Sequence, residues 1–184
     1  MAPEKLNDLL GNIDVYLLDQ ILKGRFEKSE RILDAGCGEG RNSRYLAAQG
    51  KDIYFVDKNS TAVKMVSMMF RHFPENHFFE AELRQLPFED QFFDAVICSA
   101  VLHFAESQDE FREMWNELLR VLKPGGLIFI RMSAAKGLDH EPVFPFSLAK
   151  DEMDMMEAET EWVEPFKTVL VEDRSMAVVV LKKK

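Results

Sequence analysis

A glycine-rich bend over residues 33–42 constrains the fold of this chain more than any other feature. Its sequence is LDAGCGEGRN, and it begins inside a short apolar run, 31–35, that predicts a buried strand. A helix is predicted to follow over 42–49. The three glycines of the bend carry no Cβ, so the backbone there can take positive φ angles and approach a ligand closely. The bend therefore predicts an α/β fold with a ligand-binding turn.

Strand-like and helix-like segments alternate along most of the chain. The predicted strands are 31–35, 52–56, 77–81, 93–98 and 127–131, and the predicted helices are 4–23, 42–49, 60–69, one from Ser107 or Asp109 to Pro124, and one from Ser147 to about Trp162. This alternation favours right-handed crossovers and a parallel sheet with helices on both faces. The runs 167–171 and 176–182 flank a polar turn and predict an antiparallel C-terminal hairpin. The predicted fold is α/β: a Rossmann-like, doubly wound, mostly parallel sheet of seven strands.

Charge and composition narrow the classes of partner. The net charge of −9 makes the surface acidic, and an acidic surface repels phosphate backbones, so no nucleic acid is expected as a partner. No apolar run approaches the roughly 20 residues that cross a bilayer, and the start MAPEKLNDLL lacks a signal-peptide pattern, so no membrane association is expected. Cys37 and Cys98 lack metal-type spacing and fit small apolar residues in a reducing compartment. A cytoplasmic protein without a metal site is expected.

Two acidic residues follow the second and third predicted strands. Asp57 comes directly after 52–56, where a carboxylate can accept both hydroxyls of a ribose. Each such charge-assisted hydrogen bond contributes roughly 1.5–3 kcal/mol. Glu82 and Leu83 follow 77–81, where the carboxylate can receive an adenine amino group and a backbone N–H can meet a ring nitrogen. Ligands of such sheets bind in the crevice at the carboxyl ends of the strands, so these residues predict a nucleoside site.

The spacing of the glycines argues against a nicotinamide dinucleotide as the ligand. A G-x-G-x-x-G fingerprint that starts at Gly36 requires a glycine at position 41. That position holds Arg41, and the third glycine of the bend is Gly40, one residue early. A nicotinamide oxidoreductase is therefore disfavoured.

From about residue 31 to 131 the chain resembles the class I S-adenosylmethionine-dependent methyltransferases. The likeness is carried by ILDAGCGEGRNSRYLA, the strand-end Asp57, AELRQLPFEDQFFDAVICSAVLHF and LLRVLKPGGLIFI, in this order. It implies S-adenosylmethionine as the cofactor and S-adenosylhomocysteine as its product. The residues it implies are Asp34, Gly36, Gly38 and Gly40 at the methionine end, Asp57 at the ribose, Glu82 and Leu83 at the adenine with Lys58 over it, and Ser99 and Ala100 beside the sulfonium.

A narrower likeness is to the tellurite-resistance methyltransferases. It rests on GRNS at 40–43, Asp57-x-Asn59 and VFPFS at 143–147. Those enzymes end in a hairpin that bears basic residues, and Lys167 and Arg174 fall at similar spacing here. Phe166 stands where that family tends to have a histidine, so the acceptor stays open between a small molecule in general and a chalcogen oxyanion.

The predicted organisation is one methyltransferase domain over 1–184. Residues 1–30 are expected to form a helical cap, 31–131 the cofactor-binding core, and 132–184 a substrate-side loop, helix and hairpin. No sizeable insertion interrupts this order, which favours a small-molecule acceptor over a macromolecule. A cofactor-binding module without turnover is the alternative to an active enzyme, and the oligomeric state is not indicated.

His103 and Arg131 are the catalytic candidates. His103 follows the fourth strand and would act as a base if the nucleophile must lose a proton. The other reading of His103 is a partly buried residue at a helix start. Arg131 leaves the fifth strand towards the expected pocket, where it would bind an anionic substrate or form an ion pair. His140, in the loop 133–146, would touch the substrate or stay exposed. Glu141 in the same loop could be a metal ligand, but no cluster of further ligands accompanies it, so no metal is expected.

Overall fold

A mixed sheet of eight strands organises the part of the chain that the computed structural model describes, residues 3–135, 143–171 and 174–184. The strands are β1 (Arg31–Ala35), β2 (Asp52–Asp57), β3 (Phe78–Glu80), β4 (Phe93–Ser99), β5 (Leu122–Ser133), β6 (Thr160–Trp162), β7 (Lys167–Val171) and β8 (Arg174–Lys183). Their order is β3-β2-β1-β4-β5-β8-β6, with β7 also paired to β8. Strands β1 to β5 are parallel and β8 runs antiparallel to β5, so the predicted fold class is confirmed.

Six α-helices accompany the strands within the described ranges. They are α1 (Pro3–Leu10), α2 (Val15–Leu22), α3 (Arg44–Ala48), α4 (Ser60–Met69), α5 (Gln108–Val121) and α6 (Lys150–Glu159). Short 3₁₀ turns cover Glu75–His77 and Leu102–Phe104. None of the helices in these ranges has the length and apolar character needed to traverse a lipid bilayer.

The predicted number of seven strands is wrong, because residues 160–162 form β6 instead of the end of the last helix. β6 pairs with the end of β8 at Leu181–Lys183, and β7 pairs with its beginning at Arg174–Val178. Since β5 occupies the other edge of β8, β6 and β7 lie one after the other along the same edge. Eight strands therefore fill seven positions of the sheet.

The single N-terminal helix predicted over 4–23 is also wrong. Gly11 takes a φ of +58° and breaks the segment, and Asp14 starts α2 by accepting a hydrogen bond from the backbone N of Tyr16. The last helix, predicted to start with Ser147 as its cap, likewise begins later than expected. The Ser147 hydroxyl lies 2.7 Å from that of Ser133, and α6 begins three residues later, where Glu152 accepts from the backbone N of Ala149.

The core consists of two apolar layers, one on each face of the sheet. One layer receives Phe111, Trp115 and Leu118 from α5, and all three are fully buried. The other receives Leu17, Leu46 and Val66 from α2, α3 and α4. Burying such a side chain contributes roughly 1.5–3 kcal/mol, so both faces of the central strands are committed to packing. The carboxyl ends of the strands are left for a binding site.

Gly40 and Gly50 form a matched pair for a stability test. Both have a positive φ, +73° and +79°, and only the environment of the added methyl group differs. A Cβ at Gly40 would lie 2.6 Å from Phe70 and 2.8 Å from Val66, whereas a Cβ at Gly50 meets no heavy atom within 4 Å. Gly50→Ala is expected to cost roughly 1–2 kcal/mol for the left-handed backbone alone. Gly40→Ala should cost a further 1–3 kcal/mol or so through overpacking.

Urea denaturation of the two variants measures these losses of unfolding free energy. Equal losses would show that the contact between the bend and α4 does not constrain the structure.

Candidate active site

A cleft of about 400 Å³ lies at the carboxyl ends of the parallel strands. It lies where the strand order reverses, between β1 and β4. Seven of the predicted cofactor residues line it, namely Gly36, Gly38, Asp57, Lys58, Glu82, Leu83 and Ala100. This position is the one at which open α/β sheets bind their ligands. The structure thus brings most of the predicted residues together, while their role in cofactor binding stays a prediction.

The glycine bend is tied to the end of β2 by backbone hydrogen bonds. The N atoms of Gly36 and Cys37 donate to the carbonyl of Val56, at 2.8 and 2.9 Å. Gly36 has a φ of +74°, and a Cβ there would lie 2.3 Å from the side chain of Val101. A side chain at this position would therefore collide with the loop after β4, which also lines the cleft. The bend therefore carries no side chain at Gly36, beside the position where a ligand would bind.

Asp57 is held in place by two backbone donors. One carboxylate oxygen accepts from the N of Gly38 at 3.0 Å, and the other accepts from the N of Asn59 at 2.9 Å. An ionised carboxylate offers about four acceptor positions, so two remain for hydroxyl groups of a ligand. Asp57 is therefore a fixed, partly used acceptor in the cleft.

Glu82 and Arg84 form an ion pair on the rim of the cleft. The Arg84 guanidinium donates to the Glu82 carboxylate at 2.5 Å and 3.1 Å, and this hydrogen bonding lowers the pKa of Glu82. Both side chains line the cleft, and Glu110 from α5 lies 3.7 Å from Arg84. Arg84 was not predicted from the sequence, because nothing in the local pattern distinguishes it from an ordinary surface arginine.

A second cavity of about 350 Å³ adjoins the cleft. It is lined by Ala100, His103, Phe104, Arg131, Phe144, Arg174 and Met176, and it shares Ala100 and Phe104 with the cleft. Ala100 has a φ of +64°, an unusual angle for a residue other than glycine, and its N donates to the carbonyl of Arg131 at 2.7 Å. Strained backbone of this kind is frequent at functional sites. Both predicted catalytic residues therefore lie in one cavity, next to the cleft.

His103 is buried, and its hydrogen bonding defines its tautomer. Nδ1 accepts from the backbone N of Ser133 at 3.2 Å, so the ring proton resides on Nε2. Burial lowers the pKa of His103 to about 4, and the ring stacks on Phe144 with centroids 3.9 Å apart. At neutral pH the ring is therefore uncharged, and its Nε2–H is able to donate a hydrogen bond. Its predicted role as a base stays a prediction, and this geometry favours a donor.

A buried carboxylate, Asp14, holds Arg131. It accepts from Nη1 of Arg131 at 2.8 Å and from the hydroxyl of Ser99 at 3.2 Å. Its own backbone N donates to the side chain of Asn42 at 3.0 Å. Asp14 was missed because the sequence pattern runs through it as one continuous helix; the Gly11 break was the available signal.

Three predicted cofactor residues lie behind the cleft. Asp34 is buried and accepts from the hydroxyl of Ser43 at 2.6 Å, and burial raises its pKa to about 7. Gly40 packs against α4, and Ser99 turns towards Asp14. Their role in cofactor binding stays a prediction, and the contacts described for them join parts of the protein to one another.

The remaining candidates divide between the hairpin and the loop. Arg174 lines the second cavity, whereas Lys167 pairs with Glu164. His140 and Glu141 lie outside the described residues. Within the described ranges, no three His, Cys, Asp or Glu side chains are grouped so that they could hold a metal ion.

Comparison with known proteins finds relatives along the central part of the chain. A family model described as "Methyltransferase domain" matches residues 33–130. A demethylmenaquinone methyltransferase of Clavibacter sepedonicus is 39% identical over 101 residues, which cover 55% of this chain and 40% of that protein. A malonyl-[acyl-carrier protein] O-methyltransferase of Enterobacter lignolyticus is 30% identical over 108 residues, 59% of this chain and 41% of that protein. The chain spans about two fifths of the length of these curated relatives.

Solved structures show the same fold over nearly the whole chain. TehB from Haemophilus influenzae superposes with a TM-score of 0.76 at 19% identity, over 95% of this chain and 63% of that one. The 1,6-didemethyltoxoflavin-N1-methyltransferase of Burkholderia thailandensis, solved with bound 1,6-didemethyltoxoflavin and S-adenosylhomocysteine, gives 0.74 at 19% identity, over 92% and 77%. At this identity the likeness concerns the fold alone.

Removal of the Asp14 carboxylate is expected to destabilise the protein. Asp14→Ala leaves the Arg131 guanidinium without its buried partner and α2 without its cap, so the free energy of unfolding should fall by about 3–5 kcal/mol in chemical denaturation. Asp154→Ala is the control, because it breaks the exposed ion pair with Lys150 and should cost no more than about 0.5 kcal/mol. If Asp14→Ala lowers the free energy of unfolding no more than Asp154→Ala does, the Asp14–Arg131 ion pair does not hold the N-terminal segment in place.

The ring of His103 is expected to titrate near pH 4. Because this pKa lies below the ordinary value of 6.5, the unfolded chain takes up the proton first, and the stabilising contribution is lost as the pH falls from about 6.5 to about 4. NMR of the ring nitrogens, assigned with His103→Asn, gives the midpoint and the tautomer. A midpoint at or above 6.5, or a proton on Nδ1, would contradict the described environment.

Proposed function

The chain belongs to the methyltransferase-domain family, and on this basis we propose that it transfers a methyl group from S-adenosylmethionine to a small-molecule acceptor and releases S-adenosylhomocysteine. The observation that carries this proposal is the junction of two cavities at Ala100 and Phe104. One cavity has the residues that suit an adenosyl group, and the other is a separate compartment for an acceptor.

The residues of the cleft fit S-adenosylmethionine. Asp57 has acceptor positions left for the two ribose hydroxyls, and the bend at Gly36 and Gly38 leaves room for the backbone to approach the ligand. Glu82 and Leu83 would meet the adenine, with Lys58 nearby. The bound cofactor supplies a methyl group that is electrophilic because it is attached to a sulfonium.

The protein would promote transfer mainly by placing two reactants side by side. Correct positioning of this kind lowers a barrier by roughly 7–11 kcal/mol. Ala100 would border both reactants, with its amide fixed on the carbonyl of Arg131. His103, neutral and carrying its proton on Nε2, would donate a hydrogen bond to the acceptor, while Arg131 would orient it.

The size of the second cavity supports a small acceptor. About 350 Å³ holds a compact organic molecule or a hydrated ion. Methylation of a chalcogen oxyanion is the second candidate function, and it is supported by the two guanidinium groups of Arg131 and Arg174. A cytoplasmic location and the absence of a nucleic-acid partner stay predictions.

Asp57→Asn is expected to weaken S-adenosylmethionine binding by at least about tenfold, because the amide keeps the shape but loses the charge and one acceptor. Isothermal titration calorimetry measures the affinity, and Asp154→Asn, an exposed carboxylate on α6, is the control that should leave it unchanged. Unaltered affinity in Asp57→Asn would remove Asp57 from the site.

Turnover is tested separately, by following S-adenosylhomocysteine release in the presence of a panel of small acceptors. Tight binding of S-adenosylmethionine with no methylated product from any acceptor would favour a binding module.

A further inference from the structure

We propose that the second cavity takes a small organic anion, a carboxylic acid with a planar unsaturated body. Its carboxylate would bind at Arg131 and Arg174, and its body would lie against Phe104, Phe144 and Met176. This inference rests on the proposed function, since it names the acceptor class of that site.

The charges around the cavity favour an anion. Two of its described lining residues, Arg131 and Arg174, are cations, and none of the described lining residues is an acid. Arg131 already pairs with Asp14, which is buried on the side away from solvent. Among the described residues, two guanidinium groups against one carboxylate leave an excess of one positive charge, which a monoanion would balance.

Arg131 is preorganised for this task. Asp14 holds Nη1 at 2.8 Å, and the guanidinium carbon lies 5.1 Å from the ring centroid of Tyr16. The side chain still keeps 20% of its surface exposed and lines the cavity. A guanidinium fixed in this way loses little freedom on binding, and its planar fork matches the geometry of a carboxylate.

The aromatic side of the cavity indicates that the rest of the ligand is apolar. Phe144 stacks on His103, and Phe104 meets Phe144 edge-on, with centroids 5.8 Å apart. Met176 adds a soft, polarisable surface. A small inorganic oxyanion gains nothing from such a surface, whereas a planar unsaturated acid packs against it while its carboxylate reaches the arginines.

Phe104 and Ala100 place this ligand beside the proposed cofactor. Both residues line the cavity and the cleft, so an acid bound in the cavity lies next to the proposed cofactor. The acid is therefore placed as an acceptor and not as a remote effector.

The test uses benzoate as the probe, benzamide as its neutral counterpart and selenite as the inorganic oxyanion. Each is titrated calorimetrically into the protein saturated with S-adenosylhomocysteine, and benzoate also into the protein alone. Benzoate should bind at least about tenfold more tightly than either of the other two. Equal binding of benzamide, or tighter binding of selenite, would overturn the proposal.

Arg174→Gln tests the anion contact without disturbing the fold, since Arg174 is exposed. It should weaken benzoate binding by about tenfold and leave benzamide and S-adenosylhomocysteine unaffected. Arg112→Gln, a half-exposed arginine on α5 away from the cavity, is the matched control and should change nothing. Loss of benzoate binding in both variants to the same extent, or in neither, would overturn the proposal.

Arg131 is tested in the double variant Asp14→Asn/Arg131→Gln, which leaves no buried charge unpaired. Its benzoate affinity should also fall about tenfold while its affinity for S-adenosylhomocysteine is kept. If S-adenosylhomocysteine itself fails to bind the unaltered protein, the proposed function fails. The titration of benzoate into the protein alone then still decides the chemistry of the cavity.

Discussion

The hydrogen bonds that fasten the glycine bend to the end of β2 are the interaction on which the site depends. Gly36 and Cys37 share the carbonyl of Val56, and Gly38 donates to Asp57. These bonds fix the path of the chain from β1 towards α3 and hold the Asp57 carboxylate at the carboxyl end of β2. A cleft opens there because the neighbouring strand, β4, belongs to the other half of the sheet.

The second cavity depends on a contact between distant parts of the chain. Asp14, before α2, joins Arg131 near the end of β5, Ser99 at the end of β4 and Asn42 at the end of the glycine bend. One buried residue therefore ties the N-terminal segment to Arg131 of the second cavity and to Ser99 and Asn42, which lie behind the cleft. The positive φ of Ala100 lies between them, where the backbone has to turn sharply to line both.

Local signals made much of the architecture predictable. The strand over 31–35 and the helix over 60–69 have the predicted bounds, because a short apolar run and a polar residue at the helix start mark them within a few residues. The cap of that helix is Asn59, however, and not Ser60 as the sequence suggested. β6 was not predictable in this way, since its three residues become a strand only by pairing with Leu181–Lys183. The bend and Asp57 could be recognised from the sequence because each is marked locally. The bend has three closely spaced glycines after a strand, and Asp57 directly follows the next strand. The pairing of Asp14 with Arg131 joins residues 117 positions apart, and no spacing rule reveals it.

A crystal structure with S-adenosylhomocysteine tests most directly whether the cleft is a nucleoside site next to a separate acceptor cavity. We predict that both ribose hydroxyls lie within about 2.5–3.2 Å of the Asp57 carboxylate and that the sulfur faces the second cavity at Ala100. A nucleoside bound elsewhere would contradict it, as would a cleft closed by neighbouring side chains in the presence of saturating ligand.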